Sequence, residues 1–359
     1  MIDYKLHIPG PVDVSQGAYK AITTPVMGHR SSDFVDLYQK CQPLLQELFM
    51  TEDPVFLSTS SAWGVMEGAV RNLSDKKVLC CMCGAFSDKW LDVAKRCGKE
   101  ADPYSVAWGS HIDPVELDKK LSSGEYDLVT LVHNETSCGM MNPLEEIMQV
   151  LAKYPDVLSV IDTVSSFSVV PIPKDKWGID VILTGSQKAL ALPPGLALFS
   201  VSQRAFDRAK TMEGRGYYFD FIEFLKNHEK GMTPSTPVIP LIHGLLYTLE
   251  NIFEEGIGQR HDRHEKLNQI VHQWVGKHGF ELLPEKQFAS KSLTCVKNNL
   301  DMDVANFVKT LRVEKKLSID GGYGKIKGQT FRISNMGNET SESIQYLLNQ
   351  MDEILPRFM

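Results

Sequence analysis

Short apolar runs of five to seven residues recur through the first two-thirds of the chain, and between them apolar residues return every three or four positions. The runs PVFLS (54–58), KVLCCM (77–82), DLVTLVH (127–133), LSVID (158–162), DVILTG (180–185) and LALFSVS (196–202) read as buried strands. Segments 64–73, 86–97, 113–121 and 144–153 read as amphipathic helices. Strands alternating with helices predict an α/β layer, with a mainly parallel central sheet and helices on both faces.

After about residue 240 the texture changes. A long charged helical stretch over 241–278, shorter strands and a final amphipathic helix near 340–355 predict a smaller C-terminal α+β domain. The expected organisation is an N-terminal segment 1–13 at the domain junction, a large α/β domain over 14–240 and the small domain over 241–359. Pro9, Gly10 and Pro11 make the first segment too irregular to begin a strand.

Composition narrows the partners. A length of 359 residues suits one large and one smaller domain, and 43% apolar with 23% charged residues is ordinary for a soluble globular chain. A formal net charge of -7 leaves no basic stripe, so neither nucleic acid nor an anionic membrane is an expected partner. No apolar run approaches the length of a membrane span, and the start MIDYKLHIPG has neither a basic nor an apolar leader region. The ending PRFM is not a peroxisomal tripeptide, so a cytoplasmic location is expected. Seven cysteines without paired CxxC motifs fit a reducing compartment. Cys80, Cys81 and Cys83 sit inside an apolar run and read as strand packing, and no metal is expected.

In an open parallel sheet a ligand binds beyond the carboxyl ends of the strands, and polar residues collect there. The first run leads into STSSAWG and a helix, where Ser60, Ser61 and free backbone N–H groups would face an anion, although Ser ahead of a helix is also an ordinary N-cap. The run 127–133 ends in HNETSCG, 158–162 ends in Asp162, and 180–185 ends in Ser186, Gln187 and Lys188. Asp162 and Lys188 lie 188 - 162 = 26 residues apart, enough for a crossover that returns the chain to a neighbouring strand. Such a pair is equally compatible with a structural ion pair. Arg332 stands in the apolar run TFRIS, where a charge is costly unless paired or functional. No GxGxxG follows the first strand, which disfavours a dinucleotide binder. A lysine, a carboxylate and an anion cup together are what a pyridoxal phosphate enzyme requires.

The stretches GSQKALALPPG (185–195), IDTVSS, HNETSCGMMNP, PGP (9–11), GHR (28–30), TPSTPV (233–238) and FRISNMG (331–337) resemble the class V aminotransferases of fold type I. Within them the chain is most similar to the alanine–glyoxylate, serine–pyruvate and serine–glyoxylate group. The matches keep their order from residue 8 to residue 337. The resemblance implies pyridoxal 5'-phosphate as cofactor, with Lys188 as Schiff-base lysine and Asp162 as partner of the ring nitrogen. It implies Val164 and Phe86 on the two faces of the ring and Thr136 near the phenolic oxygen. The backbone of Ser61, Ala62 and Trp63, with Gln187 and Thr236 from the neighbouring subunit of a homodimer, would hold the phosphate. Arg332 would grip the substrate carboxylate, with Gly28 and His29 nearby and Arg30 as a further candidate.

That resemblance also implies a ping-pong exchange between a small amino acid and a small 2-oxo acid. The chain departs from the family where the cup, commonly GSG followed by Thr or His, reads Ser60-Ser61-Ala62-Trp63. Thr233 stands where some relatives have tyrosine. The 2-aminoethylphosphonate transaminases share the look of HNETSCGMMNP and FRISNMG and are the alternative reading. A cysteine desulfurase would carry histidine in place of Phe86, and a non-catalytic scaffold would not need Lys188, Asp162 and Arg332 together.

Overall fold

A computed structural model describes residues 4–359. Its centre is a seven-stranded sheet whose strands lie side by side in the order Val55–Ser58, Ala197–Val201, Val181–Gly185, Leu158–Asp162, Leu128–Val132, Val78–Met82 and Ala101–Ser105. All neighbours are parallel except Ala197–Val201, which runs antiparallel to both strands beside it. The six runs read as strands all form, within one or two residues of the expected ends. Ala101–Ser105 has no counterpart in that reading.

Residue parity divides each strand between two apolar clusters. Leu79, Cys81, Val129, Leu131, Ile161, Ile182 and Leu198 join one cluster, with side chains of the helices Ser32–Phe49, Leu144–Leu151 and Ile239–Glu255. Val78, Cys80, Leu128, Val160, Val181, Leu183 and Phe199 join the other, beneath Ala62–Leu73, Ala85–Arg96, Gln203–Thr211 and Phe221–His228. Both faces are therefore covered, which is why these strands read as continuous apolar runs rather than alternating ones. Each fully buried Leu, Ile, Val or Phe contributes roughly 1.5–3 kcal/mol.

A three-stranded antiparallel sheet, Glu281–Leu282, Leu293–Lys297 and Thr330–Ser334, packs with the helices Ile257–Lys277, Val304–Lys315 and Ser341–Ile354 around a separate apolar cluster. The single helical stretch expected over 241–278 is two helices, broken at Gly256 with φ +85°. The first of them packs on the large sheet.

Residues 5–12 thread between the two sheets. Lys5 and Leu6 pair in parallel with Leu317 and Ser318, Ser334 N–H donates to the His7 carbonyl at 2.9 Å, and Val12 N–H donates to the Gln187 carbonyl at 3.2 Å. A short strand thus precedes the irregular Pro9-Gly10-Pro11 turn. Among the described residues no helix is long and apolar enough to cross a membrane.

Candidate active site

The chain steps from Val78–Met82 outward to Ala101–Ser105, then back across to Leu128–Val132 and onward to Leu158–Asp162 and Val181–Gly185. This reversal opens a crevice at the carboxyl ends of the strands. Lys188 lies three residues past Val181–Gly185. Ser186 Oγ donates to the Pro193 carbonyl at 2.7 Å, Ala191 N–H donates to the Lys188 carbonyl at 2.8 Å, and Ala191 takes a left-handed φ of 51°. The strand exit is thereby held in a tight turn that turns the lysine side chain back over the sheet.

The Lys188 side chain is buried, and its Nζ donates to the Pro9 carbonyl. Gly10 has φ +98°, and a Cβ there would lie 2.5 Å from Lys188 Cδ and 2.8 Å from Nζ, so only glycine leaves room for the amine. Burial, and next the charge of Arg332, push the amine's pKa down from 10.5 to about 8, against the opposing pull of Asp162 and Asp320.

Asp162 ends its strand with 4% exposure. One carboxylate oxygen accepts the Val164 N–H at 2.9 Å, and among the described residues the other has no hydrogen-bond partner. Burial raises its pKa from 3.8 to about 7, with Glu135 adding to the rise while the Val164 amide and Lys188 oppose it. Thr136 shares a hydroxyl–hydroxyl hydrogen bond with Ser165.

Glu135, which the sequence reading passed over, anchors the crevice wall. Its buried carboxylate accepts from Phe86 N–H at 3.3 Å, Ser87 N–H at 2.8 Å and Ser137 N–H at 3.1 Å. A carboxylate at the N-terminus of Ala85–Arg96 satisfies otherwise orphaned donors and meets the positive end of the helix dipole. Gly84 is required beside it, since a Cβ there would lie 2.7 Å from Ser137 Oγ. The position of Glu135 inside HNETSCG was the available signal.

The start of Ala62–Leu73 forms a cup of open backbone donors. Ser61 is the N-cap residue yet makes no side-chain cap bond, and among the described residues the N–H groups of Ala62 and Trp63 have no acceptor. Gln187 folds back on its own strand end, its Oε1 2.8 Å from where a Cβ on Gly185 would stand. Lys89 lies over the rings of both Phe86 and Trp63, at 5.5 and 5.9 Å, joining the cup to the crevice wall.

Arg332 reaches the crevice through strand parity. Phe331 and Ile333 enter the small cluster, so Arg332 points from the opposite face, where its Nη1 donates to the Thr136 carbonyl at 2.8 Å. GHR and TPSTP contact each other: Arg30 donates to the Thr233 and Pro234 carbonyls at 2.9 and 3.2 Å, and Thr236 Oγ1 lies 3.5 Å from His29 Nε2. Gly28 and Thr236 are exposed. Within one chain no hydrogen bond among the described residues joins this loop pair to Lys188.

The aminotransferase class-V family model matches residues 14–347. The chain belongs to this family. It is 35% identical to an uncharacterised aminotransferase of Methanocaldococcus jannaschii, over 92% of this chain and 87% of that protein. It is 31% identical to a serine–glyoxylate aminotransferase of Methylorubrum extorquens, over 93% of this chain and 86% of that one. The crystal structure of an alanine–glyoxylate aminotransferase from Nostoc sp. superposes with a TM-score of 0.93 at 28% identity, covering 99% of this chain and 96% of that one. The fold is that of the fold type I enzymes, and this class V aminotransferase is a transaminase dependent on pyridoxal 5'-phosphate. Its residues fit that cofactor: a buried lysine kept clear by Gly10, a buried carboxylate with one unpaired oxygen, and a helix N-terminus with free donors.

Proposed function

We propose that this aminotransferase moves the amino group of alanine or serine to glyoxylate or pyruvate in two half-reactions of a ping-pong cycle. The observation that carries the reading is Arg332, a guanidinium only 3% exposed that faces the crevice and electrostatically perturbs Lys188. Its rigid fork suits a substrate carboxylate. Relatives named serine–glyoxylate and L-aspartate–glyoxylate aminotransferase, at 31% and 30% identity, support a small amino donor and glyoxylate as acceptor.

The bound cofactor supplies an aldehyde for covalent exchange with amines and a ring that takes up electrons. Lys188 would hold it covalently and, when its amine is free, would carry the proton of the substrate Cα; a base whose pKa sits near working pH is suited to that task. Asp162, with one carboxylate oxygen unpaired, would keep the ring nitrogen protonated. Val164 and Phe86 would pack against the ring and Thr136 would hydrogen-bond the cofactor. The N–H groups of Ala62 and Trp63, the Ser61 cap and Gln187 would take the phosphate, and Gly28 and His29 would line the substrate side.

The test is a half-reaction screen in which the holoenzyme meets a panel of amines and bound pyridoxal is followed as it converts to pyridoxamine phosphate. Alanine or serine should convert it, and glyoxylate or pyruvate should restore it. Conversion by 2-aminoethylphosphonate but by no α-amino acid overturns the substrate assignment.

The same reading makes the enzyme a homodimer in which Thr236 completes the partner's phosphate site. Support comes from exposed apolar and aromatic residues beside these loops, Val26 at 71%, two residues before Gly28, and Tyr218 at 42%, which lines a cavity with Thr233 and Thr236. Light scattering should give at least a dimer, with cofactor retention falling on dilution. A monomer that retains the cofactor tightly refutes the role given to Thr236.

A further inference from the structure

Arg332 does not meet the crevice as a free cation. Asp320 and Arg332 are cross-strand neighbours, the Arg332 N–H donating to the Asp320 carbonyl at 2.7 Å and the Asp320 N–H returning a bond at 3.1 Å. That pairing puts both side chains on one face. Asp320 Oδ1 accepts from Arg332 Nε at 2.8 Å and lies 2.7 Å from Nη2. Gly322 N–H donates to the same oxygen at 2.9 Å.

The turn holding the carboxylate is itself fixed. Gly322 has φ +89°, and a Cβ on it would lie 2.7 Å from the Thr330 carbonyl oxygen. Tyr323, the next residue, stacks on Phe86 with ring centroids 5.1 Å apart and lies beneath the Arg332 guanidinium at 5.5 Å. Among the described residues Asp320 Oδ2 has no hydrogen-bond partner, and the side chain is 29% exposed. Asp320 is thus a carboxylate of the chain itself, seated on the guanidinium that a substrate carboxylate needs.

We propose that Asp320 is a specificity-determining residue that loosens the hold of Arg332 on substrate carboxylates, so that an amino acid or oxo acid must share or displace a carboxylate already in place. This rests on the reading of Arg332 as the carboxylate clamp. With Nε and Nη2 engaged by Asp320 and Nη1 by Thr136, an incoming carboxylate either exchanges with Asp320 or docks on the Nη1/Nη2 end beside it. In both cases it meets a cation already neutralised and a like charge a few ångströms away. Weaker carboxylate binding shared by ground and transition states raises KM without slowing the chemical step, and it eases release of the oxo-acid product.

The experiment compares the parent holoenzyme with Asp320→Asn, which keeps an acceptor for Arg332 and Gly322 but removes the charge. Two quantities are read: KM for alanine and glyoxylate, and the inhibition constant of propionate, which carries a carboxylate but no amino group. Thermal upshift of the holoenzyme by propionate gives a readout independent of turnover. Asp320→Asn should lower KM and the propionate constant by roughly five-fold or more and enlarge the upshift. Unchanged or higher values would show that Asp320 only orients Arg332, and the proposal falls. If the Asn variant does not fold, Asp320→Ser is read by the same criteria.

Arg332→Lys is the control for the reading beneath. It should keep cofactor absorbance and raise both constants. If it leaves both constants unchanged, the clamp lies elsewhere, Arg30 being the next candidate. If it raises them while Asp320→Asn does not lower them, only the role of Asp320 is lost.

Discussion

Lys188→Ala will retain at most non-covalent cofactor and lose amino-group transfer by at least about 10³-fold, because the proposed role makes one side chain both attachment point and proton carrier, and proton transfer alone is worth about 10²–10⁴-fold. Borohydride reduction of the parent followed by peptide mapping should place the label on the peptide containing Lys188. A label on another lysine would end the assignment. The amine's lowered pKa adds a pH signature. Only the neutral amine attacks an aldehyde, and a pKa of about 8 instead of 10.5 makes roughly a quarter of it neutral at pH 7.5 rather than about one part in a thousand. Cofactor loading onto apo protein should therefore accelerate up to about pH 8 and then level off, whereas an unperturbed lysine would keep gaining to beyond pH 10.

Asp162→Asn should act with opposite signs on apo and loaded protein. In the apo protein the carboxylate is buried with one oxygen unpaired, and its pKa rises from 3.8 to about 7. A folded-state pKa above the unfolded one favours folding below pH 4, and that benefit is lost as pH rises through 7. At about 1.4 kcal/mol per tenfold change in proton affinity, on the order of 4 kcal/mol stands against the folded apo protein above pH 7. The apo Asn variant should thus outlast the parent in thermal melts at pH 8, and the gap should close toward pH 4. In the loaded enzyme the variant would lose the charge proposed to face the ring nitrogen. Transfer should fall by about 2 to 5 kcal/mol, roughly 30- to 5,000-fold. Equal activity in parent and variant would remove Asp162 from its proposed role.

The central sheet was legible because its strands are buried on both faces, so each reads as an unbroken apolar run with polar residues at its carboxyl end. Ala101–Ser105 escaped because it is an edge strand: ADPYS carries Asp102 and Pro103, which an edge tolerates since half of its backbone groups need no partner in the sheet. The helix Ser32–Phe49 encloses Pro43, and its local sequence argues for a break that burial of Phe34, Leu37, Cys41 and Leu45 overrides. At the site, Asp162, Lys188 and the Ser61 cup lie at strand ends or helix starts, where sheet topology alone gathers them. Asp320 was hidden for a different reason: it meets Arg332 through an isolated bridge that joins a loop residue to the strand Thr330–Ser334, and an acidic residue in IDGG looks like any surface turn. The segment Ser60-Ser61-Ala62-Trp63 differs from the common GSG form, yet Ser61 makes no side-chain cap bond and leaves the neighbouring N–H groups open, so the change in side chains does not close the helix start.

The thread formed by residues 5–12 has a mechanical consequence. One end is stitched to the short strand Leu317–Ser318 and to Ser334 of the small sheet, and the other to the turn that carries Lys188 through Gln187. Midway, the Pro9 carbonyl and the bare face of Gly10 form the wall against which the lysine amine rests. The small sheet therefore cannot swing against the large one without drawing on that wall. The opening residues belong to neither core, yet they couple the posture of the whole C-terminal layer to the position of a single nitrogen atom.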